Sequence, residues 1–231
     1  MRKRTVFLAI VMVALFMNNT YSQTVWGGRV GFCIGGINHT AESLLEQPEF
    51  KIWNENEFYV NLGIDGGFVT YTLLSKNIYL NSGAMFSYKH STMEDSYNFD
   101  RLDMKTLWLE LPVYVGFAFP VGNKVKPYVQ TGPFFGIKLL EKCEYSWGGY
   151  YYEWGNNNSY VYEDDMFKFF NMGWSIAGGI NFHRFKIEMG YQMGLLNILD
   201  VDVKNKEESY YWEVGSEAKL NSLFLGVSLV F

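Results

Sequence analysis

The sequence predicts an all-β protein, an eight-stranded antiparallel up-and-down transmembrane β-barrel with short periplasmic turns and long extracellular loops. Three observations predict it. Apolar residues recur with a period of two in eight separate segments, the signature of strands with one apolar face. The connections between those segments alternate between long and short. The acidic residues gather in the long connections, and the apolar parity of each segment carries no charge.

The eight segments can be justified in chain order. In 25–36, Trp26, Val30, Phe32 and Ile34 share one face, against Gly27, Arg29, Gly31, Cys33 and Gly35. In 58–73, Phe58, Val60, Leu62 and Ile64 alternate with Tyr59, Asn61, Gly63 and Asp65. The pair Gly66-Gly67 suggests a bulge, after which Val69, Tyr71 and Leu73 take the apolar side. Segment 78–91 sets Ile78, Leu80, Ala84, Phe86 and Tyr88 against Tyr79, Asn81, Gly83, Met85 and Lys89. Segment 104–119 alternates cleanly through Pro112, a residue that ordinarily argues against a central strand. Segment 125–140 opposes Val129, Phe135, Ile137 and Leu139 to Tyr128, Gln130, Gly136 and Lys138. Segments 169–182 and 185–198 repeat the pattern, with Trp174, Ile176 and Ile180, then Ile187, Met189 and Tyr191, on the apolar side. The last, 220–231, carries Leu223, Leu225, Val227, Leu229 and Phe231 on one parity and Ser222, Gly226 and Ser228 on the other. As a free edge this strand would be an aggregation site; in a closed barrel it pairs with the first strand and its apolar face meets lipid.

Connections 37–57, 91–103, 141–168 and 199–219 are long and polar, whereas 74–77, 120–124 and 183–184 are short. Outer-membrane barrels show this asymmetry, and an even strand count puts both termini on the short-turn, periplasmic side. Of the 24 acidic residues only Asp65, Glu110 and Glu188 lie within strands, all on the non-apolar parity. A soluble lipocalin-like barrel would also alternate, with its polar face to water. Here the second face is dominated by Gly, Ser and Ala, which suits the crowded inside of an eight-stranded barrel. Aromatic residues at strand ends (Trp26, Phe58, Tyr71, Phe86, Tyr88, Phe117, Phe119, Phe135, Phe185 and Phe231) suggest interfacial girdles.

The first residues combine Arg2, Lys3 and Arg4 with an apolar run over 6–17 and a polar stretch ending in Ser22. That pattern is a secretory signal peptide over 1–22, with a barrel domain over 23–231. Removing the three bases leaves 16 basic residues against 24 acidic ones, a net charge of −8, which argues against nucleic acid as a partner. Cys33 and Cys143 make no disulfide framework; one bridge and two packed thiols both fit.

LELPVYVGF at 109–117, KPYVQTGPFFGIKL at 126–139, WSIAGGINF at 174–182, KIEMGYQMGLLNI at 186–198 and the terminal LGVSLVF resemble the PorT-like outer-membrane β-barrel proteins of Bacteroides-type Gram-negative bacteria. The resemblance implies eight strands and an outer-membrane location. Phe231 on an alternating last strand also resembles the signal by which such barrels are handed to the barrel-assembly machinery.

Candidate functional residues fall into three groups. Arg29, Asp65, Glu110, Lys138 and Glu188 share the interior parity and are expected to form a salt-bridged network that seals the barrel, since buried ions need partners. The third long connection holds Tyr145, Trp147, Tyr150, Tyr151, Tyr152 and Trp154, a composition shared with adaptable binding surfaces for a glycan or protein ligand. The competing reading of that segment is a strand hairpin extended beyond the membrane. A hydrolase would need His beside Ser or Asp; His39, His90 and Ser91 are the available set, and the plainer reading is that the histidines are exposed polar residues. No catalytic, cofactor-binding or metal-binding residue is assigned, and the acidic run at 163–165 lacks the spacing of a dedicated calcium site. The expected function is non-enzymatic, structural or adhesive, through the acidic aromatic loops; the alternative is transport, as a narrow pore or an accessory of protein secretion.

Overall fold

The computed structural model describes residues 23–40, 61–94, 101–119, 121, 125–146, 159–162, 167–198 and 217–231. Among them are nine strands: β1 (Thr24–Thr40), β2 (Asn61–Leu73), β3 (Ile78–Glu94), β4 (Arg101–Ala118), β5 (Val125–Ser146), β6 (Ser159–Tyr162), β7 (Phe170–Phe182), β8 (Phe185–Gly194) and β9 (Glu217–Val230). Eight of them form one closed antiparallel barrel in the order β4-β3-β2-β1-β9-β8-β7-β5, with β4 paired to β5. The closure joins the two ends of the chain: β9 pairs with β1 from Gly27↔Val230 to Thr40↔Glu217. No unpaired barrel edge is left, so the apolar terminal strand is covered on both sides.

The alternation sets the orientation of the barrel wall. Trp26, Val30, Phe32 and Ile34 of β1 are exposed, as are Leu223, Leu225, Val227 and Leu229 of β9 and Phe231 just after it, while Arg29, Cys33, Ser222, Phe224 and Ser228 are buried. The apolar stretch from residue 223 to 231 spans ~26 Å along the strand and about 20 Å once tilted as barrel strands are, close to the height of a lipid-facing band. Outward aromatics ring the short-turn end, where Trp26, Phe117, Phe119, Phe182, Phe185 and Phe231 are all exposed. Phe117 and Phe119 meet edge to face at 5.1 Å.

Glycine supplies the depth that this narrow interior needs. Tyr79 lies beside Gly116, Phe134 beside Gly173 and Tyr128 beside Gly179, each pair in direct register across neighbouring strands. A Cβ at Gly116 would come within 2.2 Å of the Tyr79 ring, and one at Gly173 within 2.4 Å of the Phe134 ring. The rings can lie over the neighbouring strand only because these positions carry no side chain.

Three expectations are corrected. The predicted bulge at Gly66-Gly67 is absent: β2 keeps one register with β1 and β3 through both glycines. Val69 and Tyr71 therefore face the interior, and Tyr71 is not part of an outer girdle; Phe68 takes the outward position instead. The irregularity lies in β5, where the pairing shifts between Leu107↔Leu140 and Trp108↔Lys138, turning Leu139 and Leu140 outward together. Finally, β5 continues to Ser146, beyond the predicted 140, and Cys143–Ser146 pair with β6. Pro112 stays within β4, and the β3–β4 ladder skips it between Ser82↔Val113 and Met85↔Glu110 without losing register, as a residue without an N–H requires. Phe58 lies outside the described residues.

Candidate functional site

The interior is filled by aromatic and polar side chains, several of them charged. Parity brings Arg29 of β1, Asp65 of β2, Glu110 of β4 and Glu188 of β8 inside, and small neighbours give them room. Asp65 stands opposite Gly31, and Glu188 stands opposite both Gly226 and Gly179. A Cβ on Gly226 would lie 2.7 Å from Arg29 Nε, so this position holds the guanidinium against the wall.

Arg29 bridges two carboxylates, with Nη1 2.7 Å from Glu188 Oε1 and Nε 3.7 Å from Asp65 Oδ1. Glu188 Oε2 accepts hydrogen bonds from Tyr128 Oη at 3.0 Å and Gln130 Nε2 at 2.9 Å. Gln130 Oε1 in turn accepts from Asn81 Nδ2 at 3.0 Å and Tyr79 Oη at 3.3 Å. The Arg29 guanidinium also sits 4.9 Å from the Phe224 ring centroid. The buried charges are tolerated chiefly by pairing and by the two hydrogen bonds to Glu188 Oε2; Arg29 Nε and Asp65 Oδ1, 3.7 Å apart, make no hydrogen bond among the described residues.

Glu110 belongs to a different pair. It lies 2.7 Å from Lys89 Nζ and accepts from Gln192 Nε2 at 3.3 Å, and Gln192 accepts from Ser222 Oγ at 3.1 Å. Between the two pairs, Arg29, Asp65, Glu110, Tyr114 and Gln192 enclose only about 10 Å³, roughly one water. Lys138 lies apart from both. It is near the long-connection end, bound to Glu141 and to the carbonyl of Phe167. The predicted network is thus divided: Arg29–Asp65–Glu188 and Lys89–Glu110 are two salt-bridged groups flanking one small cavity, and Lys138 joins neither. Lys89, which completes the second, was among the interior positions the pattern marked.

Above the clusters, the long-connection end is capped. Phe167 and Ile198, outside the strands, are buried among Met104, Trp108 and Leu220 around a second cavity of about 10 Å³. The two segments are tied together where Lys168 N donates to the Ile198 carbonyl at 2.6 Å. At the short-turn end the interior closes on an aromatic cluster. Tyr71, Tyr79 and Tyr128 pack edge to face, with centroids 6.1 Å and 6.0 Å apart, and the Lys186 ammonium lies 3.4, 4.8 and 4.4 Å from their ring centroids. Sequence reasoning missed this cage, because the supposed slip in β2 had turned Tyr71 outward.

The remaining candidates are placed as follows. Tyr145 pairs through its backbone with Leu102 and Tyr160, at the base of the β5–β6 hairpin. Trp147, Tyr150, Tyr151, Tyr152 and Trp154 lie outside the described residues. Phe231 is exposed at the short-turn end, its N–H donating to the Trp26 carbonyl at 2.7 Å. His90 and Ser91 point to opposite faces of β3: His90 is 3.2 Å from Asp103 Oδ1 on the outer side, and Ser91 is buried. The side chain of His39 lies outside the described residues. Cys33 is a free, buried thiol.

A closed barrel with an apolar exterior and a packed, charged interior defines an integral membrane β-barrel protein. The particular family follows from comparison: residues 19–200 match the model of the outer membrane protein beta-barrel domain, and the chain belongs to that family. No curated protein sequence matches this chain. Among solved structures it is similar to Neisserial surface protein A, at 10% identity and a TM-score of 0.44, covering 89% of this chain and 97% of that one. It is also similar to Ail, the attachment invasion locus protein of Yersinia pestis, at 14% identity and a TM-score of 0.36, covering 90% and 99%. The outer membrane enzyme PagL is similar at 9% identity and a TM-score of 0.43, covering 87% and 98%.

Proposed function

We propose that this chain is a non-enzymatic, closed outer-membrane barrel that carries its acidic, aromatic connections to the cell exterior as a structural or adhesive surface. Both termini then lie in the periplasm, with Phe231 presented to the barrel-assembly machinery. The observation that supports this reading is the filled interior. Arg29, Asp65 and Glu188, then Lys89 and Glu110, occupy the bore with room for about one water between them. A solute or ion crossing the barrel would have to separate these pairs in a low-dielectric setting, where breaking one costs about 3–5 kcal/mol. The PorT-like resemblance of 109–117 and 126–139 supports the envelope setting and leaves the role to the loops.

Single-channel recording on the purified protein in planar bilayers tests the sealed barrel. No steady open state is expected; a stable conductance would turn the reading toward the transport alternative. Binding to a panel of glycans and host proteins, with and without residues 143–165, tests the surface role. Loss of a specific signal on deletion is the expected outcome.

A further inference from the structure

Among the described residues the barrel interior is capped at its long-connection end, and at its short-turn end the tyrosine cluster floors an open basin. At the short-turn end lies a cavity of about 540 Å³, within the range of small-molecule sites. Its charged lining is cationic: Lys76 from the β2–β3 turn, Lys126 from the start of β5, and Lys186 from β8. His183, in the β7–β8 turn, stands at the same mouth, and no carboxylate lines the cavity among the described residues.

Lys186 is the informative residue. Its side chain is buried, its ammonium rests on three tyrosine rings, and no carboxylate lies within 4 Å of it among the described residues. Every other buried cation of the interior has such a partner: Arg29 has Glu188 and Asp65, Lys89 has Glu110, and Lys138 has Glu141. The nearest acid deeper in the bore, Glu188, is already engaged by Arg29, Tyr128 and Gln130. Cation–π contact offsets part of the desolvation of an ammonium but supplies no counter-charge. Three lysines around one concavity with low-dielectric walls focus a positive potential on it.

We propose that this basin binds a small soluble oxyanion, bearing carboxylate or phosphate groups. Lys186 forms the floor contact, and Lys76 and Lys126 clamp the anion from the rim. On the orientation given under Proposed function, the ligand comes from the periplasm; that clause rests on the reading above, while the basin does not.

The test is calorimetric titration of the full-length barrel, refolded in zwitterionic detergent, with pyrophosphate and with citrate. Saturable binding that weakens as salt is raised is expected. Lys76→Gln and Lys126→Gln, both on exposed side chains, should each weaken it about three- to tenfold without affecting folding. Lys186→Met should weaken it more than either. No saturable heat up to roughly 10 mM anion, a range that covers even weak millimolar sites, would overturn the proposal. So would unchanged affinity in the Lys76→Gln, Lys126→Gln double variant, or binding confined to a short-chain anionic lipid. Orientation is read separately, on a Cys143→Ser background, by labelling Lys76→Cys in whole cells with a membrane-impermeant thiol reagent. Labelling of intact cells would refute the periplasmic placement and leave the anion site standing.

Discussion

Replacing Glu188 by Ala tests whether the central ion pair holds the barrel together. The carboxylate is almost wholly buried, 2.7 Å from Arg29, and accepts from both Tyr128 and Gln130. Removing it strands the guanidinium and orphans two donors. A hydrogen bond to a charged group contributes about 1.5–3 kcal/mol, and breaking one side of a buried pair costs about 3–5 kcal/mol. These figures describe overlapping losses and are not to be added. Asp65, 3.7 Å from Arg29 Nε, remains as a partial counter-charge and draws the total toward the lower end. The expected cost is about 3 kcal/mol, a shift of roughly 150-fold in the folding constant.

The measurement is urea unfolding of the barrel refolded into phosphatidylcholine vesicles, followed by tryptophan fluorescence. A mutant cycle separates pairing from mere packing. If the cost is that of a stranded charge, adding Arg29→Met and Asp65→Asn to a Glu188→Leu variant should recover most of it, because well-packed apolar replacements of buried pairs are often neutral. A Glu188→Ala cost below about 1 kcal/mol, or costs that simply add along the cycle, would refute the reasoning.

Three further outcomes follow from the same geometry. Leu225→Arg, on the outward face of β9 near mid-height, should destabilise the inserted barrel by about 2–4 kcal/mol in the same assay, and a neutral result would mean that this face does not meet lipid. Gly116→Val drives a side chain into the Tyr79 ring and should cost about 1–3 kcal/mol; Tyr79→Ala should relieve that strain, and strictly additive costs would show that the two do not share the space. Ending the chain before Leu223 removes most of the residues that pair β9 with β1 and β8, so the heat-modifiable folded band on a gel should vanish; its persistence in outer-membrane fractions would show closure without most of β9.

What the sequence made legible, and what it hid, divide along one physical line. Side-chain parity has a period of two and propagates along a strand, so Arg29, Glu110 and Glu188 could be turned inward from the pattern alone. Height in the barrel is a sum over registers, and no single strand carries it. Lys138 and Arg29 share an interior parity, yet the β5 pairing sets Lys138 beside Trp108 near the capped end, and its partner becomes Glu141. Lys89 reaches Glu110 although the residue opposite Glu110 is Met85. Parity itself fails where a slip is wrongly assumed. A glycine pair in a strand suggests a bulge when glycine is taken as a conformational device; in this barrel Gly67 is small because a Cβ there would meet the Ala84 carbonyl at 2.1 Å. An assumed slip puts Tyr71 on the lipid face, whereas the unbroken register puts it on the floor of the basin, its ring centroid 3.4 Å from the Lys186 ammonium. The cage follows from three tyrosines on three strands, Tyr71, Tyr79 and Tyr128, meeting at one height. It becomes readable only after all the registers between β2 and β8 are known.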